Sequence, residues 1–195
     1  MIGLIILAAG SSSRLGKPKQ NLVFQGSTLL QRSIKAALDS DCQQVVVVLG
    51  ANLSVIEPTI KNEPVQIIHN LDWEKGMSSS ISSGLAALLK TNTQLQSVIL
   101  MLCDQPFADT SIINQLIQAS ANNKPLVACN YNGTIGVPAL FYKSYFNELL
   151  ALQGNEGAKK LLLKYSNDLH TVPFPLGMID IDTIGDFERL EISGN

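Results

Sequence analysis

Five short runs of apolar, β-branched residues constrain this chain most: Ile2 to Leu7, Val45 to Leu49, Val65 to Ile68, Val98 to Leu102 and Leu126 to Ala128. Each is continuous rather than alternating, which fits strands covered on both faces, as in a parallel sheet. The stretches between them carry helical spacing. Leu30, Ile34, Ala37 and Leu38 share one face, with Ser27 or Thr28 placed as a cap. Ile81, Leu85, Leu88 and Leu89 form a second such face, and Ile112, Ile113, Leu116 and Ile117 a third, behind Asp109 or Thr110. Strands alternating with helices predict βαβ units and a three-layer α/β sandwich.

After about residue 130 the pattern changes. Gly133, Gly136 and Pro138 are expected to break the chain. Short helices are expected at 144–152 and within 154–165, then strand-like segments at 171–174 and 178–181. The reading is an antiparallel extension and a cover on the same sheet, so that 1–195 forms one domain. Residues 1–130 make its first half and 131–195 its second, the extension and cover.

At 195 residues and 46% hydrophobic, the chain can bury a core without disulfide staples. Cys42, Cys103 and Cys129 are odd in number and widely spaced, and they read as free thiols in a reducing compartment. Fourteen basic against sixteen acidic residues give a net charge of −2, which argues against general nucleic-acid binding. No apolar run reaches the ~18 residues of a membrane helix. The first apolar run has no basic leader and stops at a Gly/Ser/Arg/Lys loop, so it reads as a strand rather than a signal peptide. A soluble, cytoplasmic protein is expected.

Four places carry chemistry. The first strand ends in Leu7-Ala8-Ala9-Gly10-Ser11-Ser12-Ser13-Arg14-Leu15-Gly16-Lys17-Pro18-Lys19-Gln20. Small residues there let backbone N–H groups approach an anion, and Arg14 and Lys19 add charge, so the loop describes a triphosphate cradle. It is neither a Walker A loop nor a GxGxxG fingerprint. Around Asn70-Leu71-Asp72-Trp73, five serines and two glycines crowd a helix start, where hydroxyls can cap the helix or bond a base or ribose. Asp104 ends a buried strand; it can hold Mg²⁺ beside phosphates or cap the following turn. Asp180 and Asp182 alternate onto one face; one can meet Asp104 across a cleft, or Asp182 can cap a helix starting near Ile184.

At these places the sequence resembles the nucleotidyltransferases that act on the molybdenum cofactor, most of all the molybdenum cofactor cytidylyltransferases. The likeness lies in LAAGSSSRLGKPKQ (7–20), NLDWEKGMSSSISSGL (70–85), MLCDQPF (101–107), GTIGVPALF (133–141), GNEGAKKLL (154–162) and DIDTIGDFERL (180–190). It implies a Rossmann-like, mostly parallel sheet of the glycosyltransferase-A kind. It also implies Mg²⁺-dependent transfer of CMP from CTP to a molybdopterin-type acceptor, with a molybdoenzyme or its chaperone downstream. Carried across, Ala8, Ala9 and Gly10 lie against the nucleotide, and Arg14 and Lys19 bind its phosphates. Ser80 and, less directly, Asn70 face base or ribose. Asp104 and Asp182 hold Mg²⁺. Lys19, Arg14 and Asp104 carry the catalysis, and GVPALF faces the acceptor. Two departures, Asn155 for the usual Asp and Ile184-Gly185 for the usual Pro-Glu, are expected to touch only the acceptor or cover half. The alternatives are a guanylyltransferase, a sugar-phosphate nucleotidylyltransferase, or a cofactor carrier without turnover.

Overall fold

The computed structural model describes residues 1–121 and 124–193. Its elements run β1 (Ile2–Ala8), β2 (Val23–Phe24), β3 (Ser27–Thr28), α1 (Leu29–Leu38), β4 (Gln44–Leu49), α2 (Leu53–Ile60), β5 (Gln66–His69), α3 (Met77–Thr91), β6 (Ser97–Leu102), α4 (Thr110–Ser120), β7 (Leu126–Tyr131), β8 (Thr134–Tyr142), α5 (Phe146–Leu150), α6 (Ala158–Lys164), β9 (Leu169–Pro173) and α7 (Ile184–Ser193).

Seven strands form one sheet in the order β5-β4-β1-β6-β8-β7-β9, in which only β8 runs against its neighbours. The expected α/β sandwich is present. Continuous apolar runs follow directly from its two covered faces. Leu4 and Ile6 of β1 pack with α1, α2 and α4, whereas Ile5 and Leu7 pack with α3, α5 and α6. Thr28 caps α1 in a reciprocal pair with Gln31, and Asp109 caps α4 through the N–H of Ile112. Gly84 brings α3 onto the sheet, since a Cβ there would lie 2.6 Å from Ile5 Cγ2. Among the described residues no helix is long and apolar enough to cross a membrane.

Two expectations are corrected. Gly136 and Pro138 do not break the chain; both lie inside β8. Ala128 pairs with Ala139 and Cys129 with Gly136, so 137 and 138 fall in a register shift where the N–H that proline lacks is not called on. Residues 178–181 are not a strand; a 3₁₀ turn at Pro175–Met178 leads into an extended connection. Ile181 N–H donates to the carbonyl of Asp104 at 3.0 Å there. The short β2–β3 ribbon and α2, which begins after a left-handed Asn52 and contains Pro58, carried no periodic signal to find them by.

A third apolar cluster matters most for function. Leu15, Leu22, Phe24 and Leu29 meet Ile181 and Leu190. It bolts the C-terminal segment to the loop after β1 and so carries Asp182 across to the strand ends.

Candidate active site

The crossover from β1 leads to β4 on one side, and β6 returns on the other, so the strand order reverses between β1 and β6. Such a switch point opens a crevice outside the carboxyl ends of the strands. Here it is a cleft of about 570 Å³. Ala8, Ala9, Gly10, Arg14, Lys19, Ser80, Asp104 and Asp182 all line it. Of the sequence-derived site residues, Asn70 alone does not. It is 3% exposed and stands behind the wall, donating to Ser79 Oγ at 2.8 Å and Ser80 Oγ at 2.9 Å. Asn70 therefore sets the direction of Ser80.

Lys19 holds the centre. Its Nζ donates to Asp104 Oδ2 at 2.6 Å and to Asp182 Oδ1 at 2.9 Å, while Arg14 Nη2 donates to Asp182 Oδ2 at 2.8 Å. The Lys19 side chain is 15% exposed and that of Arg14 68%. Burial pulls the Lys19 ammonium down, but Asp104 and Asp182 outweigh it and hold the pKa above the usual lysine range. Burial likewise opposes the Asp182 charge, and Lys19 with Arg14 overcomes it, keeping that carboxyl low. Asp180 makes no ion pair among the described residues, and Lys19 does not offset its surroundings. Burial and the charges of Asp182 and Asp104 push it up.

Asp182 is free for this role because it is not the cap of α7. Thr183 and Asp186 cap each other instead. Thr183 N–H donates to Asp186 Oδ2 at 2.7 Å, and Asp186 N–H donates to Thr183 Oγ1 at 3.2 Å.

Asp104 Oδ1 is buried and, among the described residues, has no hydrogen-bond partner. A buried carboxylate oxygen left unpaired is costly, and with Asp180 and Asp182 alongside, the donor set is all oxygen. That suits a hard divalent cation. Among the described residues no three His, Cys, Asp or Glu side chains form a ready-made metal shell. A cation bound through one or two carboxylates takes its remaining ligands from phosphate and water, as Mg²⁺ commonly does. The residues present therefore fit the group.

The second wall joins the two halves. Gly154 carbonyl accepts from Ser78 N–H at 3.2 Å and from Ser78 Oγ at 2.8 Å, so Ser78 clamps the halves together rather than facing a ligand. Gly76, at φ +100°, has no room for a side chain, because a Cβ would sit 2.3 Å from the Gly154 oxygen. Asn155 consequently lines the same cleft as Ser80. Ala9 packs beside Trp73 and Gly50. A second cavity, of about 400 Å³, adjoins the first through Leu102 and Asp180; Gln105, Tyr131 and Thr134 line it, and no Lys or Arg does.

Gln20, 1% exposed, was missed in the motif reading, in which it figured only as the residue after Lys19. Nothing in the local pattern marks a buried glutamine whose partners are ten and twelve residues away.

Over residues 4–169 the chain matches the MobA-like NTP transferase domain. It is 36% identical over 114 residues to the nicotine blue oxidoreductase of Paenarthrobacter nicotinovorans, a match covering 58% of this chain and about half, 54%, of that protein. It is 28% identical over 190 residues to the molybdenum cofactor cytidylyltransferase of Escherichia coli (strain K12), covering 95% of this chain and 93% of that one. Rv0371c of Mycobacterium tuberculosis H37Rv, solved in complex with manganese, shares the fold at a TM-score of 0.81 and 25% identity, with 98% of each chain covered. The domain match takes in the loop of Arg14 and Lys19 and the strand end of Asp104, leaving only Asp182 to be placed by the structure, and the chain belongs to the MobA-like NTP transferase domain family.

Proposed function

We propose that the chain transfers CMP from CTP to the phosphate of a molybdopterin-type cofactor and releases pyrophosphate. The observation that carries this reading is Lys19, fixed between Asp104 and Asp182 beneath an open loop of small residues. An ammonium has three donors. Two are held by the carboxylates, which leaves one for a phosphate oxygen. Arg14, mostly exposed, adds donors at the mouth.

An acceptor phosphate oxygen attacks the α-phosphorus in line; the bond from that phosphorus to the β-bridging oxygen breaks, and pyrophosphate departs. No general base is required, because a phosphate monoester with a second pKa near ~6 is already largely ionised at neutral pH. The protein's part is placement and charge neutralisation. Asp104 and Asp182 would hold the divalent cation, Mg²⁺ in this reading, which when bound supplies further neutralisation of phosphate charge. Ser80, aimed by Asn70, faces base or ribose. The cation-free second cavity, walled by the GVPALF strand, suits the uncharged part of the acceptor.

Family membership leaves the substrates open, since relatives carry the names of a cytidylyltransferase and of an oxidoreductase. The deciding experiment is pyrophosphate release across four NTPs with purified molybdenum cofactor. CTP should show the highest kcat/KM by more than about tenfold, a modest margin for a site that hydrogen-bonds the base. Equal use of GTP removes the cytidylyl assignment and keeps nucleotidyl transfer. Tight cofactor binding with no pyrophosphate from any NTP makes the protein a carrier.

A further inference from the structure

Three consecutive carbonyls end β1 at the cleft, and the protein occupies all three. Ala9 carbonyl accepts from Ala51 N–H at 3.0 Å. The carbonyls on either side, those of Ala8 and Gly10, accept from one group, Gln20 Nε2, at 2.7 and 3.1 Å. The other end of the same amide accepts from Ser12 Oγ at 3.4 Å, and Ser12 Oγ accepts from the backbone N–H of Lys19 at 3.0 Å. Among the described residues the N–H groups of Ser11, Ser12 and Ser13 donate to no protein acceptor. A Cβ at Gly10 would meet nothing within 4 Å, so the loop is open there.

We propose that Gln20 is a positioning residue that makes the loop selective for polyphosphate, by tying its carbonyl oxygens back and seating Lys19. The proposal rests on the reading of this loop as a phosphate cradle. Free carbonyls beside an anion repel it, while free N–H groups attract it. A loop of small residues has no intrinsic preference between the two orientations. The glutamine amide supplies that preference: its two hydrogens bind two acceptors, and its oxygen closes a ring of bonds through Ser12 to Lys19. Removal of the donor frees two carbonyls at once and releases the backbone that carries the Lys19 ammonium.

The test uses inorganic tripolyphosphate with Mg²⁺, a probe with no base or sugar, titrated calorimetrically into the full chain. Gln20→Met keeps the side chain's length and removes its hydrogen bonds. It should weaken tripolyphosphate at least tenfold and raise the KM for NTP, with the KM for acceptor within twofold of the parent. Gln20→Asn, which retains an amide of shorter reach, should recover part of the loss and stands in if Gln20→Met does not fold. Leu116→Ala, a cavity in the remote core, should lower Tm while holding tripolyphosphate affinity within twofold. Unchanged tripolyphosphate affinity in the Gln20 variants, or an equal loss in Leu116→Ala, overturns the proposal. Failure of the parent chain to bind tripolyphosphate overturns the cradle reading with it. Parent binding with no NTP preference for CTP touches only the base assignment.

Discussion

At the scale of single residues, the two lysines that flank Pro18 separate sharply. Lys19 Nζ lies between two carboxylates and is nearly buried, whereas Lys17 lies over the Phe187 ring, 6.0 Å from its centroid. Lys19→Ala removes the cation and leaves Asp104 and Asp182 facing each other; activity should fall by at least about a hundredfold, the scale of losing one charge-stabilising group from a site. Lys17→Ala should retain most turnover, as expected for a solvated charge. Steady-state kinetics on both variants decides, and equal losses would show a diffuse basic loop. Arg14, Lys19 and Asp104 were legible because they sit in short motifs that follow strand ends, and Asp182 because it alternates with Asp180. Their pairing was not, since it joins positions 85 and 163 residues apart. Ala9 shows the same limit. The resemblance placed it against the nucleotide, and the structure adds that its methyl and Trp73 both close on Gly50. Ala9→Gly should loosen that wall and shift the CTP to GTP preference toward GTP. One methyl corresponds to about 1–3 kcal/mol, so the shift is partial. An unchanged kcat/KM ratio would remove Ala9 from base selection.

At the scale of elements, the site depends on segments that carry little pattern of their own. The apolar strands and amphipathic helices announced themselves through periodicity, and Thr28 and Asp109 proved to be caps from among the candidates offered. The connection from 178 to 183 did not, because its shape comes from tertiary bonds: Ile181 N–H to the Asp104 carbonyl, Ile181 itself in the third apolar cluster, and the Thr183–Asp186 pair at the start of α7. Proline and glycine misled for a physical reason. Pro138 lies in β8 where the ladder skips residues 137 and 138, so its missing N–H is not called on, and Gly136, paired with Cys129, leaves room for the Tyr131 hydroxyl. The α7 cap offers a direct test of how the segment serves Asp182. Thr183→Ala should cost about 1 kcal/mol of stability, typical of a lost N-cap, and should lower kcat/KM by more than that stability loss explains at saturating fold. The Thr183 bonds hold the Asp186 carboxyl below the usual range. Its contribution is therefore present above the unfolded carboxylate value near ~3.9 and is lost as pH falls through the lower folded value. Urea unfolding of parent and Thr183→Ala from pH 3 to 7 should converge at the acid end. A constant difference across that range would place the cap's effect elsewhere.

At the scale of the whole molecule, the change of pattern near residue 130 divides the chain in two, and the sheet does not respect that division. All of β7 but Tyr131 lies within residues 1–130, yet within the sheet it pairs with β8 and β9, both from the second part, and β8 is the strand that joins this group to β6. A chain cut near 130 would strand β7 without a partner. The cysteines report on whether the two parts open together. Cys103 follows β6 and Cys129 lies in β7, on opposite sides of that join, and both are buried in the cluster under α4. Burial pushes each thiol up to about 12, with the Asp104 charge adding to it at Cys103. At pH 8 each is therefore protonated and unreactive while the chain is folded, and modification by a thiol reagent requires opening. Cys42, nearer the surface and pushed by burial to about 11, should react first, through local motion. We expect Cys103 and Cys129 to be modified with the same opening free energy, and with the same dependence on urea, because β8 joins the two groups of strands through β6 and both thiols lie in one core cluster. Mass-resolved labelling of the two peptides across a urea series measures this. Cys129 opening at distinctly lower urea than Cys103 would show that β7, β8 and β9 come away as a separate unit, and the single-domain reading would be wrong.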